Sequence, residues 1–192
     1  MISSTGKTKL ERGSSRRGVQ LGVVSIRMAE DADDFDVARA LCRDWLDWHW
    51  RHYPSDWPKG ADHPMDPERF EAILQDLPKL HRRPHGGILI GSIGKLPVGC
   101  VMYHEAEPGI AEFKRMFVSE SGRGHGLGRL MLQHMFDQMI ADGYRKVFFS
   151  SAVFLTHARA MYESVGFVGI PHPAGFPQAW REREYFMERA LV

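Results

Sequence analysis

An apolar strand that runs through a glycine-rich turn directly into a helix leaves a chain few ways to fold. This sequence has one from Phe113 to Leu130, F-K-R-M-F-V-S-E-S-G-R-G-H-G-L-G-R-L. Arg123, Gly124, Gly126 and Gly128 stand there at the spacing R-G-x-G-x-G, where missing side chains let main-chain N–H groups converge. The first amides of a helix lack internal partners, and its dipole gathers partial positive charge at that end. Such a turn suits an anion, a phosphate above all. Arg123 and Arg129 add charge-assisted contacts.

Two other phosphate loops are excluded. Gly122, Gly124, Gly126 and Gly128 alternate strictly, so the dinucleotide fingerprint G-x-G-x-x-G is not met. The G-K-T at Gly6 to Thr8 has Met1 where a nucleoside-triphosphate loop needs its first glycine. What remains, R-x-x-G-x-G after a strand, resembles the coenzyme A pyrophosphate loop of the GCN5-related N-acetyltransferases (GNAT). Leu155 to Phe167, L-T-H-A-R-A-M-Y-E-S-V-G-F, resembles that family's second block, a short helix carrying A-x-x-x-Y-E-x-x-G-F into a strand. Two linked motifs in family order are far more specific than either alone.

The resemblance implies acetyl-CoA as co-substrate, direct transfer of its acetyl group to a primary amine, and four jobs for this chain. The pyrophosphate falls to the N–H groups of Arg123, Gly124, His125, Gly126, Leu127, Gly128 and Arg129. The pantetheine arm falls to Met116, Phe117 and Val118 at the end of the fourth strand. An N–H in that stretch can polarise the thioester carbonyl, worth on the order of 3 kcal/mol. A base must take a proton from the acceptor, because exposing the lone pair of an amine of pKa about 10.4 near neutral pH costs about 4 kcal/mol. Glu112, four residues before Met116, matches the position of a glutamate base in several members, with Glu105 and Glu107 as fallbacks. Tyr162 matches the tyrosine that protonates the departing thiolate and touches the coenzyme. The sequence departs from the pattern at Leu155, where many members have an asparagine on the coenzyme; His157 or Thr156 is expected to substitute.

At 192 residues the chain fits one domain with a sizeable core. Its net charge is +1, but Lys7, Lys9, Arg12, Arg16 and Arg17 against Glu11 give the first twenty residues +4 and leave −3 for the rest. A body without a basic field is a poor partner for nucleic acid. Residues 1–18 are poor in apolar groups and are expected to form a disordered basic tail, with 19–192 as the N-acetyltransferase domain. Arg16-Arg17 before a short apolar run has no cleavage site after it, and no run approaches a membrane span. Cys42 and Cys100 lack a metal spacing and suit buried, reduced thiols in a cytosolic protein, monomer or homodimer.

Hydrophobic periodicity places a strand at Val23 to Met28 and a helix at about 33–51 with Val37, Leu41, Trp45 and Trp48 on one face. Trp45 and Trp48 read first as core, second as substrate wall. His49 and His52, three apart, have no evident third ligand and are read as packed or solvated, with no metal. Tyr53 to Pro67 is too rich in proline for a regular element. A helix starts at Pro67 and stops at Pro78; two strands, 87–93 and 98–104, flank Gly94 to Pro97. After the strand 111–118, a long helix to about Asp142 turns Leu127, Leu130, Met131, His134 and Met135 inward and ends at Gly143. A strand from Lys146, a short helix capped by Thr156, and strands from Phe167 and Glu184 follow, with Pro171 to Trp180 irregular. The order β-α-α-β-β-β-α-β-α-β-β resembles the family's α/β (α+β) fold, a mixed, mostly antiparallel sheet flanked by helices. Two other readings stay open: a catalytically silent acyl-CoA binding module, and a nucleotide-binding protein sharing only the glycine loop. Within the transferase reading, the acceptor is expected to be a small or amino-acid-like amine, with a protein amine as the alternative.

Overall fold

The computed structural model describes residues 23–59, 63 and 65–191; the expected basic tail at 1–18 lies outside them. Strands β1 (Val24–Met28), β2 (Gly86–Ile93), β3 (Leu96–Glu107), β4 (Ile110–Val118), β5 (Lys146–Ala152), β6 (Val168–Ile170) and β7 (Glu184–Ala190) form one seven-stranded sheet in the order β1-β2-β3-β4-β5-β7-β6. Every pairing is antiparallel except β4 with β5. The helices are α1 (Ala32–His52), α2 (Pro67–Gln75), α3 (Leu77–Leu80), α4 (Leu127–Ala141) and α5 (Thr156–Ser164). This is the mixed, mostly antiparallel architecture expected, with helices on both faces.

Alternation along the strands divides the core in two. Val101, Tyr103, Ala111, Phe113, Val147 and Phe149 meet α4 and α5, while Ile88, Ile90, Cys100 and Met102 meet α1 and α2. Asp31 caps α1 by accepting the Asp34 N–H at 2.9 Å. The buried row of that helix is Ala38, Leu41, Cys42, Leu46 and His49, so Trp45 and Trp48 are rotated to its flank and only half buried. From there both pack against the core cluster, as the first reading has it, and also line a groove.

Three local expectations are corrected. Pro78 does not end the helix chain; it sits in the first turn of α3, where its missing N–H is not needed. Leu130 (45 % exposed) and His134 face solvent, because the sheet receives the row Leu127, Met131, Met135, Met139 with Leu132 and Phe136. Thr156 is not a cap: Leu155 holds that position, with no side-chain bond. The hairpin connection is also tighter than expected, since Pro97 already pairs with Ser92 at a register shift, where a strand tolerates proline. Gly143, at φ 89°, closes the end of α4 as expected.

Candidate active site

Strands β4 and β5 pair only over Ile110–Glu112 with Lys146–Phe148, and the rest of β4 has no partner on that side. Between Cys100 and Met102 the β3–β4 register shifts: Cys100 faces Phe117 and Met102 faces Lys114, so Arg115 and Met116 oppose Val101 alone. Such a bulge bends the strand. The two strands splay into a groove of about 850 Å³ whose floor is Lys114 to Val118 on one side and Phe149 to Ser151 on the other. Trp45, Trp48 and His52 of α1 close one wall, and Phe154, Leu155, Thr156, His157, Met161 and Tyr162 the opposite one.

The glycine turn lies along this groove. Gly124 and Gly126 adopt φ of 79° and 70°, the left-handed region that glycine enters at little cost, with open space where a Cβ would stand. The first backbone bond inside α4 runs from the Leu130 N–H to the Gly126 carbonyl at 3.2 Å. The Leu127, Gly128 and Arg129 amides therefore precede the helix ladder and are free for an anion. The Arg123 amide is not: it donates to the Glu120 carbonyl at 3.2 Å, leaving its guanidinium, which lies 5.5 Å above the Trp48 ring, as the contribution of that residue. His125 stands apart from the groove lining, exposed, its Nδ1–H donating to the Arg123 carbonyl at 2.9 Å. The remaining residues expected to hold the coenzyme, Met116, Phe117, Val118, Gly124, Gly126, Leu127, Gly128, Arg129, His157 and Tyr162, all line it.

Tyr162 is 5 % exposed, its ring 5.5 Å from Phe113 and 4.6 Å from Phe149. Burial pushes its phenol well above the usual tyrosine range, so it keeps its proton throughout the neutral range. Glu112 is not on the groove lining. It lies on the α1–α2 face of the sheet, opposite His104, with its carboxylate 2.8 Å from Lys114 Nζ and 3.4 Å from His104 Nε2. Lys114 itself reaches the groove. Sequence reading missed a second carboxylate, Glu184 of β7. Burial raises its pKa, with the hydroxyl of groove-lining Ser150 and the charges of Lys114 and His172 acting the other way. Within W-R-E-R-E-Y it reads as one more surface charge, and only the antiparallel β5–β7 pairing brings it, itself off the lining, beside groove-lining Ser150.

His63 tethers the proline-rich loop. Its Nδ1 accepts the Met65 N–H at 2.9 Å, so Nε2 carries the proton and donates to the Tyr53 hydroxyl at 2.8 Å, which donates to the Pro58 carbonyl at 2.9 Å. Trp57 and Tyr53 meet Phe154 edge-on, at 5.5 and 6.2 Å, joining that loop to the groove wall. His49 is buried among Trp45, Tyr53 and Phe154, and burial lowers its pKa to about 4.

A splayed parallel strand pair beside a helix N-terminus with free amides can seat an extended, phosphate-bearing ligand, its phosphate at the amides and its length along the groove. The model of the acetyltransferase (GNAT) family matches residues 42–167, and the chain belongs to that family, whose co-substrate is acetyl-CoA. An IAA acetyltransferase of Azospirillum brasilense is 30% identical over 112 residues, 58% of this chain and 66% of that protein, so the chain spans just under two thirds of its length. Among solved structures, a GNAT-family acetyltransferase of Staphylococcus aureus Mu50 superposes with a TM-score of 0.68 at 14% identity, covering 88% of this chain and 100% of that one. The PaiA N-acetyltransferase of Thermoplasma acidophilum in complex with coenzyme A gives 0.65 at 13%, covering 88% and 99%. The glycine cradle, with open space where a Cβ would stand at Gly124 and Gly126, fits the pyrophosphate of that co-substrate.

Proposed function

We propose that this protein transfers the acetyl group of acetyl-CoA directly to the primary amine of a small, amino-acid-like acceptor in the cytosol. The observation that carries the reading is the splay after Glu112: it sets the unpaired edge of β4 between the free amides of α4 and the face that bears Glu112 and Lys114. Acetyl-CoA supplies the activated acetyl thioester. The amides of Gly124 and Gly126 to Arg129, with the Arg123 and Arg129 guanidiniums, hold its pyrophosphate. The unpaired edge at Met116 to Val118 takes the pantetheine arm as an added strand and offers an N–H to the thioester oxygen. Glu112 receives the amine proton at its carboxylate, directly or through water, beside the paired Lys114 ammonium. The Tyr162 hydroxyl holds a proton for the departing sulfur. The buried thiols of Cys42 and Cys100 suit a reducing compartment.

Glu184 supports a second assignment of the base, because a carboxyl raised by burial lies nearer the pKa an amine base needs, and Ser150 connects it to the groove. The ion pair on Glu112, away from the groove lining, is what favours a silent acyl-CoA binding protein instead. The test is release of free thiol from acetyl-CoA with a panel of amines, followed by mass analysis of the acetylated product. Coenzyme binding without any amine-dependent release overturns the transferase reading in favour of the silent one.

A further inference from the structure

Arg115 is the one residue other than glycine with positive φ among the described residues, 51°, a conformation an L side chain enters at a cost of about 1–2 kcal/mol. It sits on the bulge where β4 leaves its pairing, and it lines the groove beside Lys114. The guanidinium turns to the α1–α2 face and lies 5.5 Å over the Phe70 ring, which itself stacks on groove-lining Trp45 at 5.6 Å. Its Nε–H is covered and without a partner, and its one polar contact is a long one to the Met102 sulfur at 3.7 Å. Among the described residues no carboxylate lies within 4.0 Å of it, and nearby Glu112 is held by Lys114 and His104 instead.

A guanidinium with a covered, unpaired Nε–H and no anion is unfavourable, since desolvation removes water and the long contact to sulfur returns little. The Phe70 ring lies over the face of the fork, where it engages none of the in-plane N–H groups. Planar, bidentate and negative describes a carboxylate, which matches the guanidinium fork better than any other common small-molecule group.

We propose that Arg115 binds a carboxylate of the acceptor, so that the substrate class is amines that also carry a carboxylate, with an aromatic or apolar body against Trp45. The inference rests on the transferase reading above for the amine and on Arg115 alone for the carboxylate. The strained backbone is part of the device: the bulge turns the side chain of Arg115 beneath Phe70, toward the acceptor side of β4.

The test uses the full chain and matched acceptor pairs, each an amino acid and its decarboxylated amine, phenylalanine with 2-phenylethylamine among them. Wild type is expected to favour the carboxylate-bearing member by about 10² fold in kcat/KM, because truncating one partner of a buried charged pair commonly has an effect of that size. Arg115→Gly, which also relieves the positive φ, should abolish the preference, read as the ratio of kcat/KM within each pair so that any loss common to both members cancels. Arg115→Lys should retain part of it. A binding measurement that needs no turnover runs in parallel: 3-phenylpropionate should raise the melting temperature of wild type and not of Arg115→Gly, and 3-phenylpropionamide should raise neither. Equal use of both members of every pair, or an equal loss on all acceptors in Arg115→Gly, overturns the carboxylate assignment while the transferase reading stands. Absence of transfer to any amine, with the 3-phenylpropionate shift intact and dependent on Arg115, overturns the transferase reading and leaves the carboxylate site. Loss of both signals removes both.

Discussion

Tyr162 has two roles that a single substitution confuses. Its ring fills the space between Phe113 and Phe149, and its phenol, shifted upward by burial, is a poor acid but a steady hydrogen-bond donor toward a developing thiolate. Tyr162→Phe keeps the packing and should lower kcat by roughly 10 to 10³ fold with acetyl-CoA affinity unchanged. Tyr162→Ala should in addition destabilise the fold by about 3 kcal/mol, read from chemical denaturation. If Phe is as active as Tyr, the residue is a packing ring only. The base is decided by comparing Glu112→Gln with Glu184→Gln. Loss of the true base should lower the rate by about 10² near neutral pH, with partial recovery as pH rises toward the acceptor pKa. A uniform loss at every pH in Glu112→Gln would assign its effect to the broken pair with Lys114.

At the scale of the element, the turn into α4 depends on two glycines at positive φ, Gly124 and Gly126, and on a third, Gly128, where an added Cβ would crowd its neighbours. Gly126 at φ 70° becomes strained with any L side chain, and a Cβ on Gly128 would stand 3.2 Å from Met161 Sδ and 3.3 Å from Met116 Cε, between the helix and the groove floor. Acetyl-CoA should raise the melting temperature of wild type by linkage, since it binds only the folded turn. Gly126→Val and Gly128→Val should abolish that rise; the variants without ligand serve as the baseline, because the strain at Gly126 alone is about 1–2 kcal/mol. A ligand shift equal to that of wild type in both would remove the phosphate from this turn. The flank of α1 that carries Trp45 and Trp48 belongs to the same element logic, since the buried row takes Ala38, Cys42 and Leu46 and leaves the tryptophans to the groove.

Across the whole molecule, stability depends on buried neutral histidines. His81 donates from Nδ1 to the Tyr103 carbonyl at 2.8 Å, and burial lowers the pKa values of both His81 and His49 to about 4. A histidine with a depressed folded pKa stabilises above its unfolded value of about 6.5, and that stability is lost as pH falls through the folded pKa, by on the order of 3 kcal/mol per site. His63 is shifted the same way, whereas Glu184, shifted upward, opposes the trend in the same window. The melting temperature should therefore fall between pH 6.5 and 4.5. His81→Asn, which keeps an N–H donor, should flatten that fall; an unchanged slope would show that His81 does not titrate with unfolding.

The sequence by itself determined whatever is local. The glycine turn, the helix that follows it and the block around Tyr162 were legible because backbone freedom and helix periodicity are encoded within a few residues of one another. The order of elements along the chain followed from those elements and from the resemblance of the two motifs to the family, whereas the sheet order, with β7 between β5 and β6, came from the structure. Only the tertiary structure decided which side of a helix or strand meets which partner. It turned Leu130 and His134 outward and Trp45 and Trp48 into a wall, since α1 and α4 are apolar on more than one face and the sheet selects among them. Glu184 came beside groove-lining Ser150 through a pairing between β5 and β7, and Arg115 was turned to the α1–α2 face by a bulge that exists only once β3 lies against β4. Contacts between strands distant in sequence depend on register, and a shift of one residue moves a side chain to the other face.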